Sequence, residues 1–428
     1  MTSLGRTTLL NMVAVAVRTG TALALNKLLA LFVGPGGYAL VAQFQSFLAI
    51  AGGIVGFLSM GVAKMTAEHA DDLERQRVVW RTALQFALAS AVVVALVLIL
   101  AGKQLGNWLL RGSDLGHLFY WLALTLPGLA ALNLMLGVLN GKKEVVTFVA
   151  ANVLGSLLSL ALSAVLITVW GFSGALLSFV LAPIASLVLT GALVAGKPWF
   201  AWKALVGKFD RNVATKLADF GLMALTTAIV VPGSHILIRA HLASSLGVEA
   251  ASYWHAISRI SEIYLMIITS TLTLYYLPRI AEIRAAAEMR AELFTVLAWS
   301  MPVTVLLGAS IIALRDLIIA TLFSTEFLPM RDLFLWQMLG DMVKIASWCL
   351  AFIMIGRGMV REFVITEIVF SGLFYGLVVV LTNEMGLVGA SIAHLLTYLA
   401  YLLCLVVLIG REFRHWTGRS PAVSLEAR

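Results

Sequence analysis

The sequence predicts an all-α polytopic membrane protein of twelve transmembrane helices in two six-helix lobes. Three observations lead there. Of 428 residues, 61% are hydrophobic and only 12% are charged, against roughly 25% charge in a soluble domain. The apolar residues fall into runs of about 20, the length that crosses a bilayer. Three glycine-centred motifs also recur at nearly one offset along the chain.

The first span, 8–33, has Arg6 ahead of it and Arg18 inside it. It is too long for the apolar core of a signal peptide and reads as a retained helix. GPGG then opens the second span, 38–65. A charged connection, 66–79, leads to the third, 80–101, and the fourth covers 116–139 and ends at NGKK. The fifth and sixth, 145–170 and 173–195, are separated only at Gly171 and Phe172. The basic segment 197–213 joins this N-terminal lobe (1–196) to the C-terminal lobe (214–410). Span seven is 214–240, and span eight, 250–276, follows SSLGVE. Spans nine to twelve are 290–314, 332–355, 362–382 and 386–410, with a basic tail at 411–428. The longest connections, 66–79 and 196–213, leave no room for a soluble ATPase or receptor module.

Orientation follows from Lys and Arg. With the N-terminus inside, 21 of the 30 fall on cytoplasmic segments. Lys103, Arg111, Arg239, Arg315 and Arg331 lie at outer ends, and Arg18, Lys27, Arg259 and Lys344 lie within spans. That asymmetry puts both termini, the 197–213 loop and the tail in the cytoplasm. The repeat supports the two-lobe division. Gly34 in KLLALFVGPGGYALV matches Gly247 in RAHLASSLGVEAASYW at an offset of 213. VLNGKK matches IMIGRG, and WGFSGALLS matches MGLVGASIA, both at 215. A duplicated unit with an even number of spans gives two halves of the same topology, related by an axis along the membrane normal.

Ionisable groups inside spans are the candidates for function, because each costs about 2.5–3.5 kcal/mol at the bilayer centre on the insertion scale. Arg18 sits midway along its helix, either paired with an acid elsewhere or facing water; Lys27 either snorkels outward or shares that role. His255, Arg259 and Glu262 form one stripe on span eight, and Gln337, Asp341 and Lys344 form another on span ten. Each stripe holds a cation three residues from an acid, so each is either a self-neutralised pair or part of a shared polar interior. Arg239 is an interfacial anchor or a site residue. These cations outnumber the central acids, which favours an anionic solute. Trp254, Tyr264, Tyr275, Tyr276, Trp299, Trp336 and Trp348 could stack on sugars, though interfacial belts and packing account for most such residues.

Catalytic signals are weak. GALVAGKP has Pro198 where a phosphate-binding loop needs Ser or Thr, and no strand precedes it. No G-x-S-x-G elbow and no metal-ligand spacing occurs, and Cys349 and Cys404 imply neither a disulfide framework nor zinc.

FVGPGGYALVAQFQSF, KLADFGLMALTTAIVVP, YYLPRIAEI and TEFLPMRDLFLWQMLGDMVKIASW together resemble the Wzx-type polysaccharide transporters of the multidrug/oligosaccharidyl-lipid/polysaccharide exporter superfamily, in particular those that move lipid III of enterobacterial common antigen. The resemblance is collinear over nearly the whole chain, and the last segment is its most specific part. It implies a V-shaped pair of lobes around a central cationic cavity in the bacterial inner membrane. It also implies a flippase, not an enzyme, that turns undecaprenyl-pyrophosphate-linked oligosaccharide (lipid III or an O-antigen repeat unit) from the cytoplasmic to the periplasmic leaflet by alternating access. Arg18, Lys27, Arg239, Arg259 and Lys344 would then bind the pyrophosphate and glycan. His255, Glu262 and Asp341 would serve coupling or as counter-ions. Arg259 stands where close members carry a small polar residue, which suits a more acidic glycan. No cofactor, metal or nucleic acid is expected. The expected partners are the lipid-linked glycan, the lipid bilayer, and a polymerase and chain-length regulator, with the chain acting as a monomer. Coupling to an H+ or Na+ gradient or to membrane potential is open. The alternatives are a multidrug exporter of the same superfamily, which would favour an acid-dominated cavity, and a membrane enzyme of lipid-linked glycan assembly, which would need a large periplasmic loop.

Overall fold

The structure, a computed structural model, describes residues 3–110 and 115–414. Its regular elements are all helical among these residues. In chain order they are α1 (Ser3–Phe32), α2 (Gly34–Gly56), α3 (Ser59–Glu68), α4 (Leu73–Leu109), α5 (His117–Gly141), α6 (Val145–Ala195), α7 (Arg211–Ser245), α8 (Val248–Thr271), α9 (Leu277–Glu282), α10 (Ala286–Ala313), α11 (Arg315–Leu322), α12 (Phe334–Arg357), α13 (Val360–Met385) and α14 (Val388–Arg414). Short 3-10 segments cover Trp202–Leu205 and Thr325–Leu333, and a π-helical turn at Leu272–Tyr276 joins α8 to α9.

Ten helical stretches among the described residues are long and apolar enough to cross a membrane. The Val145–Ala195 stretch is two of the predicted spans. Gly171 has φ 53° and ψ −126°, a region open only to glycine. Ser163 Oγ lies 3.0 Å from Ser178 Oγ, although fifteen residues of straight helix would put them about 22 Å apart. The helix therefore doubles back at Gly171. Counting both of its arms, and α8 with its charged stripe, gives the twelve crossings expected.

The structure carries the repeat further than the motifs do. Left-handed backbone recurs at Gly34 and Gly247, at Lys143 and Gly358, and at Gly171 and Gly386; Gly207 is the remaining case among the described residues. A Cβ on Gly174 would overlap Leu166 O, and one on Gly389 would overlap Leu381 O, so each hairpin closes on a glycine three residues after its turn. Gly141 packs on Ala63 and Thr66, and Gly356 packs on Leu277 and Ile280. The break between α2 and α3 corresponds to the π-helical turn between α8 and α9. One backbone plan is thus written twice.

The chain forms two compact units, Met1–Gly233 and Ser234–Arg428. The division falls inside α7 rather than in the connecting loop at 197–213, because the start of α7 packs on the first unit. Leu217 is fully buried with Leu58, Val62, Met65, Val79, Trp80, Ala83, Leu134 and Val138. Gly221 meets Phe57, and Gly53 meets Ala228. The loop ahead of α7 is also fastened to the first unit. Lys197 Nζ is 2.8 Å from Glu144 Oε2, Trp199 Nε1 donates to Glu144 Oε1 at 3.1 Å, and Gln85 Nε2 donates to Gly207 O at 2.7 Å. Trp199 packs edge-on to Trp80 with centroids 5.7 Å apart. The tail beyond Arg414, part of the predicted 411–428 segment, lies outside the described residues.

Candidate functional site

The second unit holds a buried carboxylate at its centre. Asp341, two turns into α12, has 0% exposure. Such a charge survives burial only with hydrogen-bond partners, and it has two. Tyr264 on α8 donates its hydroxyl to Oδ2 at 3.0 Å. His394 on α14 places Nε2 3.0 Å from Oδ1. Gly340 makes the second contact possible, since a Cβ there would overlap the His394 ring and lie 3.1 Å from Leu395 N. One turn before Asp341, Gln337 Nε2 donates to Ser261 Oγ at 3.2 Å. About a turn after it, Lys344 lies half-buried between aromatic rings, its Nζ 4.9 Å from the Trp348 centroid and 5.2 Å from that of Tyr398. Lys344 acts on Asp341 electrostatically, but the close side-chain contact of Asp341 on α14 is with His394.

Helix α8 presents a different face to this cluster than the charged stripe suggests. Ser261 and Tyr264 are buried toward α12, whereas Arg259 and Glu262 form their own ion pair at 2.8 Å, with side chains 33% and 45% exposed. Glu262 is in electrostatic range of Arg239 on α7 and of Lys344. Arg239 is only 2% exposed, so this cation is held inside the protein. His255 is within range of both Arg239 and Arg259, and His235 packs edge-on to Trp254 at 5.4 Å. Arg239, His255, Arg259, Glu262, Asp341 and Lys344 therefore gather within one unit, with three permanent cations against two acids.

Arg18 and Lys27 belong to the first unit. Arg18 is at the middle of α1 and exposed. Its carbonyl accepts from Thr21 Oγ1 at 3.0 Å, while its guanidinium makes no hydrogen bond or ion pair among the described residues. Lys27 is half-buried beside Asn26, whose Oδ1 accepts from Tyr38 OH at 3.2 Å. His394 is not among the residues that the sequence singles out, and Tyr264 stands there only as an aromatic. His394 had a usable signal, because an ionisable residue inside the 386–410 span meets the same test that selected Asp341. Among the described residues, no group of three His, Cys, Asp or Glu is placed to hold a metal.

An array of interior cations on membrane-crossing helices, in a fold built from one unit repeated, defines a transporter of polar or charged solutes. The chain belongs to the polysaccharide biosynthesis protein family, whose pattern matches residues 28–332. It is 28% identical over 413 residues to the lipid III flippases of Escherichia coli (strain K12) and Shigella flexneri, covering 96% of this chain and 99% of each relative. Among solved structures it resembles the inward-facing conformation of a multidrug resistance MATE family transporter of the MOP superfamily, with a TM-score of 0.77 and 14% identity over 93% of this chain and 98% of that one. It also resembles the lipid II flippase MurJ in its inward closed conformation, with a TM-score of 0.73 and 12% identity over 94% and 87% of the two chains. At these identities the two structures establish the fold alone.

Proposed function

We propose that this protein is a flippase for undecaprenyl-pyrophosphate-linked oligosaccharide, moving it from the cytoplasmic to the periplasmic leaflet of a bacterial inner membrane. The observation that carries this reading is the surplus of permanent cations in the spans. Arg239, Arg259 and Lys344 stand near Glu262 and Asp341 in the second unit, and Arg18 lies exposed at mid-helix. An exposed guanidinium at that depth is tolerable against water or an anionic ligand, not against lipid tails. Pyrophosphate supplies the anion, and charge-assisted bonds to Arg and Lys offset its desolvation. Near end-to-end similarity to relatives named lipid III flippases supports the cargo class. Arg18, Lys27, Arg239, Arg259 and Lys344 bind the headgroup, and exposure to each side of the membrane in turn completes transport. A cationic drug would be repelled by the same residues. The decisive experiment reconstitutes the purified protein with defined lipid-linked oligosaccharides and follows their arrival in the opposite leaflet. Movement of a cationic dye in place of the glycan lipid would reject the proposal.

A further inference from the structure

We propose that Asp341 and His394 form a proton-binding site, loaded and unloaded during transport; the transport part rests on the flippase reading, the proton part does not. The geometry points to it. Each oxygen of Asp341 meets one hydrogen-bonding group at 3.0 Å, Tyr264 on Oδ2 and His394 on Oδ1. Without the extra proton, the pair is a carboxylate accepting from the Nε2–H of a neutral imidazole, with one negative charge. Adding one proton makes the pair neutral, as imidazolium with carboxylate or as imidazole with carboxylic acid. These two forms differ only in where a hydrogen sits along one bond, and Tyr264 donates to Oδ2 in both. The site thus takes up a unit charge without rearranging any heavy atom.

A metal cation fits the place poorly. Hard cations need several oxygen donors, whereas here both carboxylate oxygens are engaged, one partner is a nitrogen, and Lys344 is nearby. The surrounding groups are His235 and Arg239 on α7, Glu262 and Tyr264 on α8, Lys344 on α12 and Tyr398 on α14, of which Lys344 acts on His394 electrostatically and His235 lies within range of it. From α13 the His394 ring meets Phe374 at 5.8 Å, and Glu367 acts on Tyr398. Loading a proton on the pair therefore changes the field at Lys344, the cation proposed to meet the cargo.

The repeat supplies an internal control. At the offset of 215 that relates Gly141 to Gly356 and Gly171 to Gly386, Asp341 corresponds to Leu126 and His394 to Phe179. Leu126 is fully buried. The first copy of the fold packs the same places with apolar side chains, so the architecture does not require a carboxylate and an imidazole there. Replacing buried charges by apolar groups is often neutral or stabilising, which leaves function as the reason the second copy keeps them.

The test uses the purified full chain in liposomes, without cargo, and infrared difference spectra between acid and alkaline pH. A difference band from the loaded pair, protonated carboxyl or imidazolium, is expected in the wild type on top of the bands of the other carboxyl groups and is missing in D341N, with its midpoint in H394Q moved by at least about tenfold in proton concentration. Y264F, which loses only a hydroxyl, shifts the same band and serves if D341N does not fold. Flipping of lipid-linked oligosaccharide is then compared with and without an imposed pH gradient; the wild type accelerates with the gradient and H394Q loses that ratio. The proposal is overturned if D341N or Y264F titrates like the wild type, if H394Q leaves the midpoint in place, or if wild-type flipping ignores the gradient. If the band behaves as expected but no lipid-linked oligosaccharide moves, the flippase reading fails and the proton site stands.

Discussion

Arg18 is exposed at the centre of a helix that has to lie in a membrane, with no protein partner among the described residues. Truncating a group in that position costs little stability, because its exposed guanidinium makes no hydrogen bond or ion pair among the described residues. We predict that Arg18→Ala leaves expression and thermal stability unchanged but lowers flipping in proteoliposomes about ten- to a hundredfold, the equivalent of one lost charge-assisted bond of about 1.5–3 kcal/mol. Arg18→Lys should recover part of the rate, since it restores the charge without the two-pronged geometry. Wild-type rates in Arg18→Ala would remove this residue from the site. Arg18 was legible in the sequence because its depth alone makes it unusual. The setting of Asp341 was not legible, since its partners arrive from 77 and 53 residues away and no local spacing encodes them. The Arg259–Glu262 pair lies between: three residues apart on one helix, it was readable as a local ion pair and forms one.

At the scale of elements, two contacts decide how the pieces are held. At Gly340 α12 packs tightly on α14, and Gly340→Ala would push the His394 ring and the Leu395 backbone aside. We expect a loss of about 1–3 kcal/mol, seen as a lower unfolding temperature in detergent; an unchanged midpoint would mean that α14 yields freely. The other contact is Glu144, which fastens the connecting loop. Lys197 hydrogen-bonds to its carboxylate and holds it below the usual carboxylate range, with Trp199 and Thr147 as further donors. A depressed acid stabilises the folded state above its unfolded pKa, and that contribution is lost as the pH falls through the depressed value. Acid should therefore loosen residues 197–210 before the helices unfold, visible as faster hydrogen exchange confined to that loop. Glu144→Gln should give the same loosening at neutral pH, for about 1 kcal/mol or less, because the pair is partly solvated.

At the scale of the whole molecule, the twelve crossings and their duplication were readable from length, hydropathy and three glycine motifs. Where each unit ends was not, because apolar runs mark helices and say nothing about which neighbour a helix packs on. The topology and the repeat each carry a prediction. A reporter fused after Arg428 should be cytoplasmic, as the Lys and Arg asymmetry requires; a periplasmic signal would invert the topology. Gly171→Ala and Gly386→Ala, at equivalent hairpins with φ 53° and 62°, should each cost about 1–3 kcal/mol, and a large difference between their melting shifts would show that the two copies no longer share one backbone plan. The placement of α7 has a consequence for biogenesis. Its first turns fill the core around Leu217, so the first six spans emerging from the ribosome leave a socket that only the opening of the second half can plug. Maturation of the amino-terminal portion must wait for translation to pass that point. A gene cut inside the 197–213 loop should then yield two polypeptides that reassemble on co-expression, with the amino-terminal one degraded when made alone.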